Sequence, residues 1–124
     1  MKKRLMVALL LAACRQPTPP TLPVMCPDPV TGCRLDAGVV LRFSTRPTPM
    51  QPFELEVEAP DSGAVYAEFG MAGMEMGPNR YRLLQEHDKW RAKVLLPACV
   101  QGRRDWVLRL DVGDRIYVVP FTSM

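Results

Sequence analysis

The sequence predicts an all-β protein, an immunoglobulin-like antiparallel β-sandwich of about seven strands. Short runs between residues 39 and 118 alternate apolar and polar side chains, the period of two expected of strands with one face buried. Pro, Gly, Asn and Asp punctuate these runs at short intervals. No window of eleven or more residues keeps a helical period without a Pro or Gly break.

In chain order, Val39, Leu41 and Phe43 share one side of the first run. Phe53, Leu55 and Val57 share one side of the second, with Glu54, Glu56 and Glu58 on its solvent face. Val65, Ala67 and Phe69 repeat the pattern, followed by Tyr81 with Leu83, then Trp90, Ala92 and Val94. Trp106, Leu108 and Leu110 come next, and Ile116 with Val118 closes the set. Turn signals fall at Pro47 to Pro52, Pro60 to Gly63, Gly77-Pro78-Asn79, His87-Asp88, Gly102 to Arg104 and Gly113-Asp114. Trp90 and Trp106 are assigned to the core, on apolar faces of adjacent strands, because each indole buries a large area.

The chain begins with a different kind of segment. Lys2, Lys3 and Arg4 precede an apolar run from Leu5 to Leu11 that is too short to span a bilayer, and Ala12-Ala13 supplies the small residues of a cleavage site. Leu11-Ala12-Ala13-Cys14 resembles a bacterial lipoprotein signal, which implies that residues 1–13 are removed and that Cys14 carries lipid. A second acyl chain makes such anchoring stable, at about 0.8 kcal/mol per buried methylene. Residues 14–25 then form the lipidated cysteine and a tether rich in proline, with Pro17, Pro19, Pro20 and Pro23. At about 3.1 Å per residue such a segment spans roughly 30 Å. Residues 26–124 are the sandwich domain. The expected location is the cell envelope, lipid-anchored, facing the periplasm, with the outer membrane the favoured surface.

Losing Lys2, Lys3 and Arg4 lowers the 16 basic residues to 13, equal to the 13 acidic ones. That balance, with no basic stripe and no base-reading motif, argues against a nucleic-acid partner. No second apolar run approaches bilayer length. In an oxidising compartment cysteines pair, and three remain beyond Cys14. Cys26 and Cys33 bracket a turn-rich octapeptide and are the favoured disulfide. Cys33 with Cys99 is the alternative, because connectivity depends on approach of the Cβ atoms.

The densest chemical feature is Met71-Ala72-Gly73-Met74-Glu75-Met76-Gly77, with three of the eight methionines in seven residues. Thioether sulfur is soft and uncharged, a donor for Cu(I) rather than for hard ions. In an extended segment Met74 and Met76 share a side, and the glycines let Met71 join them, while Glu75 points away. Met71, Met74 and Met76 are thus the candidate Cu(I) ligands. Cys99, if free, adds a thiolate; otherwise it is a buried cysteine or a disulfide partner. Met-rich loops also serve as adaptable apolar edges for docking partners. Met25 and Met50 sit beside prolines in other loops and are set aside.

From Phe69 to Leu110, the Met-rich turn, Asn79-Arg80-Tyr81-Arg82-Leu83, Trp90-Arg91-Ala92-Lys93-Val94, Leu96-Pro97 and Trp106-Val107-Leu108-Arg109-Leu110 resemble the C-terminal half of small YtkA-like and FixH-like envelope proteins. The resemblance implies a periplasmic module concerned with copper handling or with assembly of a copper-containing respiratory oxidase. Relatives often place His beside Met, whereas this loop has none, which favours Cu(I) over Cu(II). His87, the only histidine, belongs to a polar turn.

No nucleophile motif surrounds Ser44, Ser62 or Ser123, and Glu54, Glu56 and Glu58 read as a solvated strand face, so the chain is not expected to be an enzyme. The expected function is a lipid-anchored envelope protein binding Cu(I) for copper trafficking, tolerance or oxidase assembly. A metal-free docking module of the envelope is the alternative.

Overall fold

A computed structural model describes residues 20–60, 62–74, 77, 79–98 and 101–124. The expected lipidation site Cys14 lies outside these residues, as do the candidate ligands Met76 and Cys99. Two five-stranded sheets pack face to face, and the described residues include no helix. The strands are β1 (Thr21–Pro23), β2 (Cys33–Arg34), β3 (Val40–Phe43), β4 (Phe53–Glu58), β5 (Val65–Gly70), β6 (Arg80–Arg82), β7 (Leu84–Glu86), β8 (Lys89–Val94), β9 (Asp105–Val112) and β10 (Arg115–Thr122). One sheet has the order β1-β10-β9-β5-β6 and the other β2-β3-β4-β8-β7. Every pairing is antiparallel except β1 with β10. The all-β sandwich read from the sequence is the architecture observed.

The period-two pattern becomes the core directly. Leu41, Leu55, Val57, Val65, Ala67, Leu108 and Leu110 are fully buried between the sheets. Edge-to-face contacts join Phe43, Phe53, Phe69 and Phe121, with centroids 5.1 to 6.1 Å apart. Opposite the core on the second sheet, Lys89 and Arg91 lie among Glu54, Glu56, Glu58 and Glu86, with nitrogen-to-oxygen distances of 3.1 to 3.8 Å. The glutamates are therefore the outer face of β4, held in an ion-pair mesh.

Four details differ from the sequence reading. The ten strands include the short β1, β2 and β7, which carry too few residues to show a period. The run containing Tyr81 and Leu83 changes sheet at Leu83: β6 pairs with β5, β7 pairs with β8, and buried Leu83 plugs the crossover. On β10 the core side is Tyr117, Val119 and Phe121, opposite Leu110, Leu108 and Trp106, while Ile116 and Val118 face outward opposite Asp111 and Arg109. Trp90 and Trp106 are both buried, as expected, but belong to opposite sheets.

The topology gives the sandwich two distinct poles. The chain enters at Pro20, whose carbonyl accepts a hydrogen bond from the Ile116 amide at 3.3 Å, and β1 runs alongside β10 from Ile116 to Val118. Val112, Val65 and the Gly113-Asp114 turn lie at this entry pole. The opposite pole holds the end of β5, the start of β9 and the C-terminus, eight residues or roughly 25 Å away along β9.

Candidate functional site

The Met-rich segment lies at the pole remote from the entry of the chain. Gly70, the last residue of β5, pairs with Val107 near the start of β9, and Met71 continues the inward parity of Val65, Ala67 and Phe69. The chain then reverses over Ala72-Gly73, with Gly73 at φ +72° in a conformation side chains disfavour. The Met74 amide donates to the Met71 carbonyl at 3.2 Å, and the two residues form an antiparallel bridge. Directly opposed residues of such a bridge place their side chains on one face. Met71 and Met74 therefore share a side, with Met71 buried at 5 % exposure and Met74 half-buried against the core. The two-residue reversal makes Met71 and Met74 neighbours, while the expected placement of Met76 beside Met74 lies outside the described residues.

Arg103 anchors the turn from outside. Its Nη2 donates to the Ala72 carbonyl at 3.0 Å, and its Nε donates to Asp105 Oδ1 at 3.0 Å in a local ion pair. Beside the hairpin runs a groove of about 850 Å³, with Ala72 on one wall and Cys26, Pro29, Phe43, Trp106 and Phe121 along its length. The disulfide joins Cys26 to Cys33, with Cα atoms 5.7 Å apart, as favoured from the octapeptide. It closes a loop in which Asp28 accepts from the Val30 amide and the Thr31 hydroxyl, each at 3.0 Å.

Among the described residues no group of three or more His, Cys, Asp or Glu is placed to hold a metal ion. The soft donors that the described part of this pole offers are thioethers, whose softness and lack of charge suit Cu(I). His87 is exposed in the β7–β8 turn at φ +58°, at the entry pole, far in the fold from the methionine hairpin.

The topology brings three further methionines to the same pole: Met25 and Met50, set aside in the sequence as lying in other loops, and Met124, which no sequence signal singled out. Met25 lines the groove, and the Met124 amide donates to the Pro47 carbonyl, also on the groove, at 2.8 Å. Met50 ends the loop that carries Pro47, and its amide donates to the Leu96 carbonyl at 2.9 Å. These residues are 25 to 99 positions apart in the chain, so no local window joins them.

A second titrating cluster lies elsewhere. Tyr117, on β10 near the entry pole, donates its hydroxyl to Asp36 Oδ1, and Arg115 Nη1 donates to Asp36 Oδ2 at 3.0 Å. The Tyr117 hydroxyl, followed by the Arg115 guanidinium, holds the Asp36 carboxyl below its usual range. Burial, aided by Asp36, pushes the Tyr117 phenol up. This clip ties the β2–β3 turn to β10 and is structural.

No family model, curated protein or solved structure matches this chain.

Proposed function

We propose that this is a lipid-anchored protein of the cell envelope that binds Cu(I) weakly through Met71, Met74 and Met76, for copper trafficking, tolerance or assembly of a copper-containing oxidase. The observation that carries the reading is the Met71–Met74 bridge, which puts two soft donors side by side at the pole farthest from the entry of the tether. Met76 follows two residues later in the chain, and Cys99 lies in the segment between β8 and β9. An anchored protein gains from this polarity, because the end away from the lipid meets partners in the periplasm. The resemblance to YtkA-like and FixH-like proteins agrees with such a role. No catalytic step is assigned.

A second reading is favoured by one observation: Met71 is buried in the core and adjoins an apolar groove. On that reading the methionines are an adaptable edge for a protein partner and bind no metal.

Competition for Cu(I) against a chromogenic chelator, on the full chain in detergent, separates the two. Replacing Met71, Met74 and Met76 together by Leu keeps volume and apolarity, at a cost typically under about 1.5 kcal/mol per site. Copper binding should weaken by the hairpin's contribution while the melting temperature changes little, and Cys99→Ser reports whether the thiol contributes. Undiminished affinity in the triple variant, or none in the wild type, leaves the docking module.

A further inference from the structure

We infer that Met25, Met50 and Met124 form a second, surface set of Cu(I) donors around the groove, distinct from the hairpin. The inference rests on the same soft-cation reading but on different side chains. Its first support is where the molecule exposes apolar groups. Met25, Met50 and Met124 are 84 %, 61 % and 60 % exposed. Among the described residues the other exposed large apolar side chains are Val30, Leu84 and Leu95, and of all six only Leu84 lies away from this pole. Solitary exposed apolar residues need no explanation, whereas a concentration at one end marks a site of interaction. That half of the six are methionine gives the site its chemistry. Valine or leucine would supply the same apolar contact without a donor atom.

The second support is the backbone at Met50, which has φ +66°. That conformation is costly for a residue with a Cβ and natural for glycine or asparagine. The hydrogen bond from its amide to Leu96 holds the loop in place, and the side chain is left 61 % exposed. Packing therefore gains little from methionine at a position where glycine would relax the chain. A thioether displayed to solvent gives the side chain a use. Met124 is tied by its own amide to Pro47, three residues before Met50, so the C-terminus is fixed beside this loop. Met25 stands on the groove that Pro47 also lines. Neutral thioethers need no deprotonation, so such a rim would take up and release a soft monovalent cation readily.

Silver(I), a redox-stable soft cation, is the probe, and the readout is the NMR signal of each methionine methyl in full-length protein labelled with ¹³C-methyl methionine, in detergent micelles. The expected result is that the Met25, Met50 and Met124 methyls shift on addition of silver(I), and that M25L/M50L/M124L binds fewer ions while its hairpin methyls still respond. Met50→Gly is the companion variant: it relieves the backbone and deletes the sulfur, so thermal stability should hold while the response at Met25 or Met124 weakens. If only the Met71, Met74 and Met76 methyls respond, this inference is overturned and the hairpin reading stands. If only the surface methyls respond, the inference stands and the hairpin reading fails. If no methyl responds, both fall.

Discussion

At the residue scale, one buried hydrogen bond and one part-buried clip set local stability. Trp106 is 1 % exposed and its Nε1 donates to the Oγ of fully buried Ser123 at 3.1 Å. Ser123→Ala leaves the indole N–H without that acceptor, and an orphaned buried donor costs about 1 to 3 kcal/mol. Urea denaturation should show a loss in that range with the fold retained. The Asp36 clip gives a pH dependence. Because the folded state lowers the Asp36 pKa, its contribution is present above the ordinary carboxylate pKa and is lost as pH falls through the folded value. Tyr117→Phe removes the leading cause of that shift. The variant should be less stable near neutrality, and its stability should fall less steeply on acidification; an acid limb unchanged from wild type would contradict this assignment.

At the element scale, the legibility of the fold followed from burial. β4, β5 and β9 each bury one face, so strict alternation survives in the sequence and Leu55, Ala67 and Leu108 were placed correctly. β10 misled because apolar residues occupy both of its sides: Ile116 and Val118 outside, Tyr117, Val119 and Phe121 inside. Pro120 lies within β10 at a place where β1 has already stopped, at Pro23 opposite Val118, and a proline is tolerated where a strand becomes an edge. The methionine hairpin was legible as a composition but not as a geometry, since the Met71–Met74 bridge depends on the reversal at Gly73. Met25 and Met50 were visible but set aside as belonging to separate loops, and Met124 gave no signal, because only the tertiary topology joins these loops. Two further outcomes belong here. In the chain-entropy account, opening the eight-residue Cys26–Cys33 loop costs about 2.5 kcal/mol. Reduction by dithiothreitol should lower the unfolding midpoint accordingly while circular dichroism stays that of a β protein. By contrast Glu56→Gln, although it removes contacts to Lys89 and Arg91, should cost less than about 1 kcal/mol, because exposed ion pairs contribute little.

At the scale of the whole molecule, the arrangement is polar. A chain that enters at Pro20 and carries five described methionines at the far end separates its entry from its candidate chemistry by the length of the sheet. The attachment itself is checked by mass spectrometry of the mature N-terminus, expected to begin at an acylated Cys14; an unmodified cysteine there would remove the anchor from the account. The central claim is that thioethers at the remote pole hold Cu(I), and copper K-edge X-ray absorption on the Cu(I)-loaded full-length protein tests it most directly. The account predicts a first shell made of sulfur that is lost or depleted when Met71, Met74 and Met76 become Leu. A shell of nitrogen and oxygen, or a sulfur shell unchanged in that variant, would contradict it.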